Sequence, residues 1–162
     1  MSEKWLDLNR RRQRLRLPEF DYSDPNHVYF VTVCAPLLDQ PCSDPPLANA
    51  VVESILFHSD KKEWLVCAYC LRPDHLHLAL SPVDGGSSVP RLVQRFKSYT
   101  TRLAWQKGHP GVLWQRSYYD HIARREEDVL AICEYILANP VRKGLVEDAG
   151  LWRYAGLIDP LA

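Results

Sequence analysis

The chain has 162 residues, a length that accommodates one domain with a substantial hydrophobic core and leaves little room for two. Its twenty basic and twenty acidic residues cancel, so bulk charge neither demands nor excludes a nucleic-acid partner, and five cysteines without an export signal point to reduced thiols rather than a disulfide framework. No apolar run approaches the roughly 20 residues that span a bilayer, and the opening MSEKWLDLNRRRQRLRL lacks the apolar core of a secretory signal, so the sequence reads as one cytoplasmic domain over 1–162 with no membrane partner.

In chain order, residues 1–22 read as a short basic N-terminal arm, carrying Arg10, Arg11, Arg12, Arg14 and Arg16 with no amphipathic period. HVYFVTVCA, residues 27–35, is rich in β-branched and aromatic residues and predicts the first strand. PLLDQPCSDPP has four prolines in eleven residues and must be a loop. LANAVVESILFHSDKK then repeats apolar residues at helical spacing, with Val51, Ile55 and Leu56 on one side. EWLVCAYCL predicts a strand, Arg72-Pro73-Asp74 a short turn and HLHLALS the returning strand of an antiparallel hairpin. After VDGGSS a second helical pattern runs through VPRLVQRFKSYTTRLAWQ, where Arg91, Arg95, Lys97 and Arg102 interleave with Leu92, Val93, Phe96 and Leu103. Beyond GHPG, VLWQRSYYDHIAR holds a last strand. EEDVLAICEYILANP is a helix whose leading acidic residues suit its dipole and which stops at Asn139-Pro140, followed by a short, mixed tail. The order β-α-β-β-α-β-α predicts an α+β fold, an antiparallel sheet with helices packed on one face, of ferredoxin-like or RRM-like type.

The most unusual segment is RPDHLHLAL, residues 72–80. Side chains alternate along a strand, so Leu76, Leu78 and Leu80 share the core face while His75, His77 and Ala79 share the other. Two imidazoles side by side are either polar residues on an open sheet face or half of a metal site. If the remaining ligands are oxygen atoms, an octahedral ion such as Mg²⁺ or Mn²⁺ suits the pair; imidazoles alone suit zinc equally well. Cys67 and Cys70 with the histidines also write a CxxC plus HxH zinc module, but residues three apart on an extended strand point to opposite faces, and no glycine-containing knuckle surrounds them.

In the final helix the apolar stripe passes through Val129, Ile132, Cys133, Ile136 and Leu137. Tyr135 falls off the centre of that stripe, and Asn139 lies one turn further along almost directly above it. Such a pair is either edge packing with a helix-terminal asparagine or a phenol and an amide oxygen set beside a site.

Taken together, RPDHLHLAL, WQRSYYDHI and YILANPVRKGLV resemble the motifs of the HUH single-strand tyrosine transposases, above all their REP-associated branch. The resemblance runs from about residue 27 to 152, and the three motifs in this order make it specific. It implies a metal-dependent endonuclease and strand transferase acting on single-stranded DNA with hairpins, such as palindromic repeats, through a covalent 5′-phosphotyrosine. His75 and His77 match the family's metal pair, Tyr135 its nucleophile and Asn139 the third, amide-type ligand, where many relatives carry glutamine. The chain also has Arg72-Pro73-Asp74 where many relatives have Met-Pro-Asn. The implied cofactor is Mg²⁺ or Mn²⁺. Relatives include monomers and homodimers that exchange the tyrosine helix, so either state fits.

An unaided phenol, with an ordinary pKa of about 10, is ionised in only about one molecule in a thousand at pH 7, so the chemistry needs charge stabilisation at the phosphate. Covalent storage of the phosphodiester needs no ATP, and Gly85-Gly86 lacks the lysine and spacing of a phosphate-binding loop. In this reading the arm residues Arg10, Arg11, Arg12 and Arg14 and the helical Arg91, Arg95, Lys97 and Arg102 hold DNA phosphates, and Tyr99, Trp114, Tyr118 and Tyr119 are candidates to stack bases. Tyr118 and Tyr119 are also the rival nucleophiles. The alternatives are a non-catalytic nucleic-acid-binding module of the same fold, needing neither metal nor tyrosine, and a structural zinc protein.

Overall fold

The computed structural model describes residues 19–123 and 126–158. Its elements are β1 (Val28–Cys34), α1 (Pro45–Asp60), β2 (Trp64–Leu71), β3 (His75–Pro82), α2 (Val89–Gln106), β4 (Tyr119–Ala123), α3 (Glu126–Arg142) and β5 (Ala155–Leu157), with single 3₁₀ turns at Pro41–Ser43 and Ala149–Leu151. The strands form one sheet in the order β4-β1-β3-β2-β5, every neighbouring pair antiparallel. This is the α+β architecture that the element order predicts, a ferredoxin-like arrangement extended by one edge strand. No helix among the described residues is long and apolar enough to cross a membrane.

α1 and α2 form the expected helical layer on the leucine face. Leu76, Leu78 and Leu80 meet Val31, Val33 and Leu71 across the sheet and Leu47, Val51, Ile55, Leu92, Val93 and Phe96 from the helices, all buried. Burying a side chain of this size stabilises by about 1.5–3 kcal/mol, so this layer supplies most of the cohesion. Leu56 does not join it and is 39% exposed, because at about 100° per residue it points well away from the line through Val51 and Ile55. Both helices begin with proline in the first turn, where the missing N–H has no intrahelical partner to lose.

α3 adds a second layer on the opposite face. Val129, Ile132, Cys133 and Ile136 pack on Phe30, Ala68, Cys70 and Ala79. The small side chains on β2 and β3 let the helix lie close to the strands, and they leave room above β3 for the two imidazoles. A β-bulge between Val66 and Ala68 alters the alternation of β2, so Cys67 and Cys70 both belong to the cluster under α3 rather than pointing to opposite faces. Among the described residues, no group of three histidine, cysteine or acidic side chains is placed to hold a metal, so these thiols do not complete a zinc module with the histidines. Burial pushes the Cys70 thiol up to about 12.

Two details depart from the sequence pattern. The last long helix does not stop at Asn139-Pro140 but continues to Arg142 with Pro140 inside it. Proline costs most in a helix interior, and here only two residues follow it in the helix; the Lys143 and Leu145 N–H groups close the end on the Asn139 and Pro140 carbonyls at 3.1 and 2.9 Å. The mixed tail contains β5, which pairs with β2 through Ala155, Gly156 and Leu157. A side chain at Gly156 would begin 3.2 Å from the Tyr69 hydroxyl, a tight approach that a larger residue could make only if the Tyr69 ring shifted. Of the arm's 1–22, residues 19–22 are described, and Tyr22 is buried against Tyr29.

Candidate metal and tyrosine site

The hairpin turn places the two histidines with their ring nitrogens facing. His75 Nε2 and His77 Nε2 are 3.0 Å apart. Each imidazole is held from its other side: the His75 Nδ1–H donates to the Asp74 carboxylate at 2.8 Å, and His77 Nδ1 shares a 2.9 Å hydrogen bond with the Thr32 hydroxyl. Thr32 is there because antiparallel pairing sets it directly opposite His77 on β1. Phe30 stacks on the His77 ring at 5.4 Å and 20°, closing its apolar side.

These surroundings fix charge as well as orientation. His77 is fully buried, and burial first, then the neighbouring His75 and Arg72, holds its pKa well below the ordinary histidine value. It is therefore neutral at pH 7, the form that offers a lone pair. Asp74 is held below its usual carboxylate range by the hydrogen bond from His75, with Arg72 assisting, and so stays an acceptor. The donor set fits a divalent ion: two imidazoles oriented through Nδ1, with Nε2 atoms spaced about as neighbouring ligands roughly 2.1 Å from one ion are.

α3 brings the other two predicted residues to the same face. The Tyr135 ring lies 6.0 Å from His77 and 5.9 Å from Phe30, edge-on to Phe30 at 80°, and the Arg142 guanidinium sits 4.9 Å over it. Asn139, one turn on, is 1% exposed, and its Oδ1 accepts from Arg72 Nη1 at 3.4 Å. Because the helix runs through Pro140, Asn139 keeps helical register one turn beyond Tyr135 instead of fraying at a terminus. The rival Tyr119 is paired with Thr32 on edge strand β4, two strands away from β3, and Tyr118 packs against the leucine-side core.

The basic helix is not brought to this site. α2 packs on the leucine face, so Arg91, Arg95 and Arg102 are exposed on the layer opposite the histidines. Arg95 donates to Ser87 at 3.2 Å, and Lys97 Nζ is bound to the Gln115 and Arg116 carbonyls. Trp114 is buried with its indole N–H on Thr100 at 2.8 Å, and Tyr99 packs edge-on against His58, so neither presents an open ring face at the histidine site. Arg10, Arg11, Arg12, Arg14 and Arg16 lie outside the described residues. Sequence reasoning did not reach Thr32, Phe30, Arg72 or Arg142 as members of the site. The register that sets Thr32 against His77 is invisible without the strand pairing, whereas Arg72 stood within the quoted motif.

A family model described as IS200-like transposase matches residues 24–139, a span that includes the histidine pair, Tyr135 and Asn139. The chain belongs to this family. A Haemophilus influenzae protein provisionally named a REP-associated tyrosine transposase is 30% identical over 98 residues, covering 54% of this chain and 56% of that protein. The REP-associated tyrosine transposase of Escherichia coli K12 is 24% identical over 88 residues, covering 54% and 51%. The alignments thus span about half the length of these relatives. A solved REP-associated tyrosine transposase bound to a REP hairpin shares the fold, with a TM-score of 0.69 at 18% identity over 86% of this chain and 82% of that one.

Proposed function

We propose that this protein is a divalent-metal-dependent single-strand DNA endonuclease and strand transferase that acts beside DNA hairpins; its relatives are named tyrosine transposases, and the solved neighbour of the same fold is bound to a REP hairpin. The observation that carries the reading is the meeting of His75 and His77 with Tyr135, about sixty residues later in the chain, on one face of the sheet. A non-catalytic binding module would have no use for two oriented imidazoles beneath a tyrosine.

His75 and His77 are the residues that would hold Mg²⁺ or Mn²⁺, with Asn139 as the amide ligand once its oxygen is released by Arg72. The bound ion would supply Lewis-acid stabilisation of the charge that builds on the phosphate. Thr32 and Asp74 keep the imidazoles oriented, and Phe30 keeps water from the buried edge of His77. Tyr135 is the nucleophile. Its Oη gives up its proton and forms the bond to phosphorus, the P–O3′ bond breaks, and the departing O3′ takes up one proton to become a 3′ hydroxyl, so the proton count is unchanged and the 5′ phosphate stays on the tyrosine. Attack by a 3′ hydroxyl on that phosphotyrosine reforms the DNA linkage and restores the phenol.

The test is a labelled single-stranded hairpin oligonucleotide incubated with the full chain and Mn²⁺, then denatured. A covalent protein–DNA adduct is expected from the native chain and none from Tyr135→Phe. An adduct that persists in Tyr135→Phe and vanishes in Tyr119→Phe would move the nucleophile to β4. Tight hairpin binding without any adduct would leave the binding-module alternative standing.

A further inference from the structure

Arg72 is a charged residue inside the site whose donors are mostly unused. Cys70 pairs with His77 and Leu71 with Leu76. The Arg72 N–H donates to the His75 carbonyl at 2.8 Å, so alternation places its side chain on the histidine face. That side chain is only 16% exposed. Its contacts are long: Nη1 reaches Asn139 Oδ1 at 3.4 Å, Nη2 stands 3.8 Å from the Asp74 carboxylate, and the buried Nε–H has no hydrogen-bond partner. The nearby acid is already engaged by His75 at 2.8 Å.

A guanidinium offers five N–H donors in a planar fork and cannot lose its charge, so one this enclosed is incompletely satisfied as it stands. What matches the fork is a bidentate anion, and a phosphodiester presents two non-bridging oxygens at the right spacing. Among the described residues, Lys143 also lies near enough to act on His77, but Arg72 is the enclosed base with an unpartnered buried donor. Arg142 lies over the Tyr135 ring, Lys97 is bound to carbonyls, and Arg91, Arg95 and Arg102 sit on the opposite layer.

We propose that Arg72 is the residue that grips the backbone phosphate of the DNA strand at this site, exchanging its long contact to Asn139 for the phosphate oxygens. The assignment rests on reading the site as one that takes a DNA strand. On that exchange the Asn139 amide oxygen becomes available, so strand entry and completion of the ligand set are one movement.

The experiment measures equilibrium binding of the full chain to a hairpin oligonucleotide with a single-stranded flank, over a series of salt concentrations and with EDTA present so that cleavage does not intervene. Each single-strand phosphate contact contributes about 0.7 to the slope of log K against log salt. Arg72→Met is expected to lower the slope by about that amount and Arg72→Lys to retain it. A neutral methylphosphonate placed at successive flank positions should lower the native slope at one position and have no further effect there in Arg72→Met. If the methionine variant does not fold, Arg72→Gln carries the same comparison. An unchanged slope in the neutral variant, with native binding intact, overturns the assignment and leaves the functional reading in place. A native chain that fails to bind the oligonucleotide overturns both.

Discussion

Thr32 shows how much of the site depends on a residue with no chemistry of its own. Its hydroxyl both accepts and donates, so it satisfies His77 Nδ1 in either tautomer and leaves Nε2 to face His75. When His77 offers its Nε2 lone pair, Nδ1 carries the proton and Thr32 accepts it. Thr32→Val keeps the β-branched shape that β1 requires but removes that acceptor, leaving a buried N–H unpaired. Mn²⁺ affinity measured by calorimetry should fall about 10- to 100-fold, the usual cost of losing such an outer partner, while the secondary structure is retained. Unchanged affinity would mean that Thr32 does not orient the ring. Asp74 serves His75 in the same way, and because its charge also attracts Arg72, the residues before the first histidine join the two halves of the site.

At the scale of elements, the site exists because α3 can approach the sheet. Ala68, Cys70 and Ala79 form the floor beneath Ile132, Cys133 and Ile136. Ala79→Leu would overfill that floor, displacing α3 and Tyr135 with it, at a cost of about 1–3 kcal/mol in chemical denaturation. Adduct formation should drop more steeply than stability, since a misplacement of about 1 Å is enough to cost a reaction on the order of 100-fold. A variant as active as the native chain would show that α3 is not positioned by this packing. The hairpin, the two long amphipathic helices and the strand at β1 were legible because each has a period of its own in the sequence. β5 was not, since three residues, one of them glycine, carry no period and the strand is defined by Tyr69 and the edge of β2. The same holds for the site: His75, His77, Tyr135 and Asn139 were named from alternation, helical phase and motif, but the distance of α2 from them depends on which sheet face each helix chooses, and a basic helix with a good apolar stripe looks the same on either.

For the molecule as a whole, a formal charge of zero conceals an uneven placement of groups around one fully buried imidazole. In the unfolded chain His77 titrates near the ordinary value of about 6.5. In the folded, metal-free protein its pKa lies well below that, because burial and the neighbouring His75 and Arg72 disfavour the cation. The unfolded state therefore binds a proton that the folded state refuses, so stability is full above about pH 6.5 and declines as pH falls below it, by at most about 1.4 kcal/mol for each pH unit. Asp74 acts in a separate window. Its folded pKa is depressed, so its contribution is present at neutral pH and is lost only as pH drops through the acidic range below its ordinary value of 3.8. Denaturant unfolding of the EDTA-treated chain between pH 3 and 7.5 should show the His77 slope between pH 5 and 6.5, and His77→Asn should flatten it while leaving the loss below pH 4 in place. Equal slopes in the two proteins between pH 5 and 6.5 would mean that the folded chain accommodates a charged His77, and the neutral lone pair on which the proposed metal site depends would have to be sought elsewhere.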